Sequence, residues 1–100
     1  MAHFRIKGTA KADLKTIAKF TEKTWGREQR NKYLTEFDQA FRQLAENNEL
    51  GKACEHIRVG YRIFPVGSHI IFYKIGERHS VDIFRVLHKR MKVSSRLFRA

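Results

Sequence analysis

Phe4 and Ile6 alternate with His3, Arg5 and Lys7, and a period of two predicts a short strand with one buried face. The period then lengthens. Ala10, Leu14, Ile17, Ala18, Thr21 and Trp25 recur at three- and four-residue intervals, which lines them along one side of a helix. Thr9 stands just ahead of this stripe and is placed to cap it, because its hydroxyl can accept from a first-turn N–H. Gly26 is placed to end it. A second stripe follows in Tyr33, Leu34, Phe37, Ala40, Phe41 and Leu44, with charged residues on the other faces, until Asn47-Asn48 breaks it. Two such helices joined around Trp25-Gly26-Arg27 form an antiparallel hairpin whose apolar stripes need a third surface.

The second half supplies that surface. Tyr61–Phe64, Ser68–Ile75 and Ser80–Leu87 are β-branched and aromatic runs, separated by Pro65-Val66-Gly67 and by Gly76-Glu77-Arg78-His79. They predict a three-stranded antiparallel meander. The order is β-α-α-β-β-β, an α+β fold in which an N-terminal helical hairpin packs on a small antiparallel sheet, with the first strand at one edge of the meander. In the middle strand Ile70, Phe72 and Lys74 share one face, and His69, Ile71, Tyr73 and Ile75 the other. In the last strand Val81, Ile83, Arg85 and Leu87 share a face, with Phe84 and Val86 opposite. Two helices cover one face of a four-stranded sheet. The other face is too apolar for bare solvent, at roughly 25 cal/mol per Å². A cover is expected there, either the C-terminal tail (Val93, Leu97, Phe98) or a partner chain.

Composition narrows the class. One hundred residues form one domain, 1–100, and 42% apolar residues with a single proline exclude a disordered basic tail. The longest apolar run is Ile70–Tyr73, far short of the roughly 20 residues that cross a bilayer, and the N-terminus has no signal-peptide pattern. Cys54 is alone, so no intramolecular disulfide forms. A cytoplasmic protein is expected. The charge adds a partner: 21 Lys+Arg against 10 Asp+Glu give +11. Residues 1–51 hold 10 basic and 7 acidic groups, residues 52–100 hold 11 and 3, and the segment 88–100 forms a basic tail without an acid. That field calls for a polyanion.

Candidate chemistry is sparse. The five histidines show no spacing that aims two at one metal, the six glycines are scattered singly, and the second half has only three acids. No metal, cofactor or catalytic set is expected. What remains is a basic group on and around the sheet: Arg58, Arg62, Arg85, His88, Lys89 and Arg90. Were Arg62 and Arg85 on adjacent strands, they would form a patch suited to a phosphate or to a partner's carboxylates.

The stretch Gly60-Tyr-Arg-Ile-Phe-Pro-Val-Gly-Ser-His-Ile-Ile-Phe-Tyr-Lys-Ile75 resembles the ParE branch of the ParE/RelE superfamily of type II toxin–antitoxin toxins. So do Arg85–Met91 as the close of the last strand, Ala10-Lys-Ala-Asp-Leu14 with Ile17 in the first helix, and Trp25-Gly26 at the helical turn. The resemblance spans residues 4 to 92 and implies the β-α-α-β-β-β toxin fold. It implies a toxin that stalls DNA gyrase on cleaved DNA, without enzymatic activity or sequence-specific DNA binding of its own. A ParD-like antitoxin with an acidic C-terminal segment would neutralise it. Arg62, Arg85, His88, Lys89 and Arg90 are then expected to face the target. Trp25, Tyr33, Phe37, Arg58 and Tyr73 are expected to face the antitoxin. RelE-like relatives cleave mRNA on the ribosome, which leaves an endoribonuclease as the alternative; a non-toxic co-repressor is a third. In this sequence Lys89-Arg90-Met91 follows His88 where RelE-like members place a catalytic aromatic, and Lys92 stands where ParE-like members often have an acid.

Overall fold

A computed structural model describes residues 3–91. The chain runs through β1 (Phe4–Ile6), α1 (Gly8–Trp25), α2 (Arg27–Glu46), β2 (Lys52–Ala53), β3 (Tyr61–Val66), β4 (His69–Ile75) and β5 (Val81–His88). The strands form one five-stranded sheet in the order β1-β5-β4-β3-β2. The helical hairpin and the antiparallel meander are present as the periodicities require. The first strand lies at the meander's edge, but it runs parallel to β5, so the sheet is mixed. The two-residue β2, in a segment without strand periodicity, adds a fifth strand beside β3.

Two apolar clusters lie on the two faces of the sheet. On the helical side Ala10 and Ile17 of α1 and Phe37, Ala40, Phe41 and Leu44 of α2 pack on Val66, Ile71, Tyr73, Val81, Ile83 and Val86. On the other side Tyr61, Phe72 and Leu87 are buried with Cys54, and Ile57, Ile63, Ile70 and Phe84 pack around them. The connection after β2, which the sequence reading does not name as a cover, folds over this second face and places Cys54 and Ile57 on the sheet. It carries its own turn bonds, with Ile57 N–H and Arg58 N–H both donating to the Cys54 carbonyl (2.9 and 3.2 Å). Val93, Leu97 and Phe98 lie outside the described residues.

The face assignment in β5 holds only up to its middle. Phe72 pairs with Arg85 but its neighbour Tyr73 pairs with Ile83, so Phe84 is an extra residue, a β-bulge. Beyond it the alternation inverts. Val86 joins Val81 and Ile83 under the helices, and Leu87 turns to the second face. The bulge frees backbone groups, and α1 takes them up. Thr9 donates its hydroxyl to the Phe84 carbonyl (2.7 Å), and Val86 N–H donates to the Asp13 carboxylate (2.9 Å). Thr9 is thus not a cap. The helix starts one residue earlier, at Gly8, with Lys7 in the capping position and no side-chain cap bond.

The connections follow from two glycines. Gly26, at φ 95°, ends α1 and begins α2, a backbone setting that a β-carbon disfavours. Gly67, at φ 55°, makes the two-residue turn between β3 and β4. Pro65 and Val66 belong to β3 rather than to the turn, and Pro65 is tolerated there because β2 pairs only with Arg62 and Ile63.

On its outer side α1 carries Lys11, Lys15, Lys19 and Lys23, all exposed and each four residues from the next. Like charges at that spacing destabilise a helix by about 0.2–0.5 kcal/mol per pair. The helix tolerates this because its other face is buried.

Candidate functional site

A groove of about 760 Å³ opens between the helical hairpin and the β3–β4 turn, lined among others by Thr16, Phe20, Trp25, Tyr33, His69 and His88. Its apolar walls face solvent: Phe20 is 66% and Trp25 71% exposed. A tryptophan at the end of an amphipathic stripe suggests a core anchor, and here it is not one. Gly26 turns the chain immediately after it, so the indole projects from the tip of the hairpin, beyond the sheet that covers the rest of the stripe.

Tyr33 organises the groove's floor. Its ring lies on that of Phe37 (centroids 4.8 Å apart), and its hydroxyl accepts from Ser68 N–H (3.2 Å), donates to the Val66 carbonyl (3.1 Å) and sits 2.6 Å from His69 Nδ1. A hydroxyl has one proton and two lone pairs. With the proton on Val66, every contact is satisfied when His69 donates from Nδ1. Gly67 is required at this point for a second reason: a β-carbon there would lie 2.8 Å from the Tyr33 ring and hydroxyl. Val66 and His69 pair directly in the hairpin, so Tyr33 ties α2 to the whole turn.

His69 and His88 stand opposite each other on β4 and β5, rings 5.2 Å apart and edge to face. Burial, and after it His88, hold the His69 imidazole below its ordinary value of 6.5, so it is neutral at physiological pH. His88 Nδ1 accepts from Arg90 N–H (3.1 Å). The pair was not legible from sequence spacing, because nineteen positions separate the two residues and only strand register joins them. Phe20 was likewise missed, since it falls outside the apolar stripe of α1.

The other sequence-derived residues are dispersed. Arg62 and Arg85 are not on adjacent strands; β4 lies between β3 and β5. Arg62 donates to the carbonyls of Gly51 and Glu49 and fastens the segment that leads into β2. Arg85 grips Asp13 with a two-pronged fork, Nε to Oδ2 at 2.8 Å and Nη2 to Oδ1 at 2.9 Å, and this raises its already high pKa. His88, Lys89 and Arg90 are exposed together at the end of β5. Of the aromatic candidates, Trp25 and Tyr33 line the groove, but Phe37 and Tyr73 are 1% and 0% exposed and present no surface to a partner. The resemblance implies that both face the antitoxin, but they sit in the core between the helices and the sheet, on faces turned toward each other. The Tyr73 hydroxyl is consumed internally, donating to the Asn48 carbonyl (2.7 Å) and accepting from Gly51 N–H (2.9 Å). Arg58 lies on the opposite side of the sheet from the groove, its guanidinium 5.7 Å from the centre of the Tyr61 ring. Burial pushes the Cys54 thiol up, which disfavours the reactive thiolate.

No helix of the described residues is long and apolar enough to cross a membrane. Residues 4–93 match the family model for the ParE toxin of the type II toxin–antitoxin system parDE. The chain is 38% identical over 96 residues to Toxin ParE1 of Mycobacterium tuberculosis, covering 96% of this chain and 98% of that one. It is 39% identical over 97 residues to Toxin ParE1 of Caulobacter vibrioides, covering 97% and 99%. Among solved structures, a chain of a chromosomal ParDE system from P. aeruginosa superposes with a TM-score of 0.75 at 17% identity, over 88% of this chain and 96% of that one. A chain of the RelBE2 toxin–antitoxin complex from Mycobacterium tuberculosis gives 0.63 at 24% identity, over 88% and 98%. These two likenesses establish the fold.

Proposed function

Because the chain belongs to the ParE family of type II toxin–antitoxin toxins, we propose that it poisons DNA gyrase and is neutralised by a ParD-like antitoxin. It acts in the cytoplasm, stabilising the cleaved gyrase–DNA complex and so blocking replication. The reading is carried by the extent of the family likeness, residues 4–93. The groove supports the antitoxin part of it. An acidic amphipathic segment can lay an apolar side over Phe20, Trp25 and Tyr33 while its carboxylates meet a chain of net charge +11. Ordering such a segment is offset by the aromatic surface it covers.

The toxin works by binding rather than by cleaving a phosphodiester. Support comes from Arg62 and Arg85, the cations an endoribonuclease site would draw on, which are engaged with backbone carbonyls and with Asp13. His88, Lys89 and Arg90, exposed at the end of β5, are the target-facing group in this reading.

Purified chain is incubated with gyrase and plasmid DNA, with and without the antitoxin. Cleaved, linear DNA accumulates when the toxin is present and disappears when the antitoxin is added. Unchanged supercoiling and cleavage at doses that arrest growth would overturn the gyrase assignment. New cleavage sites within coding mRNA after induction would put the endoribonuclease in its place.

A further inference from the structure

We propose that the outer side of α1 binds the phosphate backbone of duplex DNA, without reading base sequence, through Lys11, Lys15, Lys19 and Lys23. At 1.5 Å of rise per residue the four ammonium groups recur about every 6 Å over a row of roughly 18 Å. The row lies across the helix from Ala10, Ile17 and Thr21, which are buried, so it faces away from the core. Its exposed neighbours Ala12 and Thr16 are short and leave it open to a long, stiff ligand.

Among the described residues no carboxylate pairs with this row. The two acids of α1 are taken, Asp13 by Arg85 and Glu22 by Arg30 across the helical turn. Among the described residues none of the four lysines forms an ion pair. The ion pairs that do form there are made by arginine: Arg5 with Asp82, Arg30 with Glu22, Arg42 with Asp38 and Arg85 with Asp13. Carboxylates are matched by the planar guanidinium fork, and α1 has no arginine. A row of flexible point charges suits instead a ligand whose anions repeat along a line and need no fixed orientation, which describes a phosphate backbone. This favours DNA over an acidic protein segment as the occupant. The row is distinct from the aromatic groove, and the proposal stands whether or not gyrase is the target.

The test is fluorescence anisotropy of a short labelled duplex of arbitrary sequence, titrated with the full chain over a series of salt concentrations. Each phosphate contact contributes about 0.9 to the slope of log affinity against log salt, so K11Q/K15Q/K19Q/K23Q is expected to flatten the slope by about 3 to 4. K32Q/K52Q/K74Q, which removes exposed lysines elsewhere, is expected to flatten it by less per lysine. K11R/K15R/K19R/K23R keeps the charge and is expected to restore it. Circular dichroism of each variant reports whether the fold is kept. The proposal is overturned if the wild-type chain does not bind the duplex, or if the α1 variant keeps the full slope. It is also overturned if both sets of substitutions flatten the slope equally per lysine, or if the row binds polyglutamate more tightly than the duplex at equal salt.

Discussion

Asp13 serves three donors with one carboxylate: both prongs of Arg85 and the Val86 N–H that the bulge releases. Removing it leaves a largely buried guanidinium and a buried N–H without their acceptor. Asp13→Ala should therefore lower stability by roughly 2–4 kcal/mol, read from urea unfolding. Tyr73 makes the same point for a neutral group. Tyr73→Phe strips the Asn48 carbonyl and Gly51 N–H of their partner and should cost roughly 1–3 kcal/mol in stability. It should leave antitoxin affinity unchanged, because the side chain has no exposed surface. His69 adds a dependence on pH. Its folded pKa lies below 6.5, so over the interval beneath that value the unfolded chain binds a proton that the folded chain refuses. Stability from this group is complete above about pH 6.5 and is lost as pH falls. Unfolding midpoints measured from neutral to mildly acidic pH should decline more steeply in the wild type than in His69→Asn.

At the scale of elements, α1 is held by what it touches rather than by its own surface. Three like-charged pairs along the lysine row oppose it, so K11Q/K15Q/K19Q/K23Q should raise stability by roughly 0.5–1.5 kcal/mol, seen as a higher unfolding midpoint. A helix whose exposed residues weaken it is retaining them for something other than folding. The bulge in β5 shows where reading by element reaches its boundary. Hydrophobic alternation located the strand, because Val81, Ile83, Val86 and Leu87 are all apolar whichever way each points. It could not locate Phe84 as an extra residue, because a bulge is defined only against the partner strand. Thr9 was misread for a related reason. Ahead of a helix a threonine suits a cap, and only the arrival of Phe84 from 75 positions away gives its hydroxyl a better acceptor.

At the scale of the molecule, over its described residues, the lysine row on the outer side of α1 and the aromatic groove beside the hairpin meet along Thr16. Trp25→Ala should weaken antitoxin binding by about 2 kcal/mol, some thirtyfold by calorimetry, with little change in stability, since an exposed indole of this kind is a typical anchor. Arg62 and Arg85, which would form a patch only on adjacent strands, are separated by β4 and each fastens the protein to itself, while His88, Lys89 and Arg90 stay together at the end of β5. The sequence by itself determined the helices, the meander, their order, the net charge of +11 and the family, because periodicity, turn residues and motif spacing are local or additive properties. Only the tertiary structure decided that Trp25 faces water, that Phe37 and Tyr73 do not, and that the segment after β2 covers the second face of the sheet. It also decided that His69 meets His88. Each of these depends on which surface comes to lie against which, and that is fixed by strand register and helix docking between residues far apart in the chain.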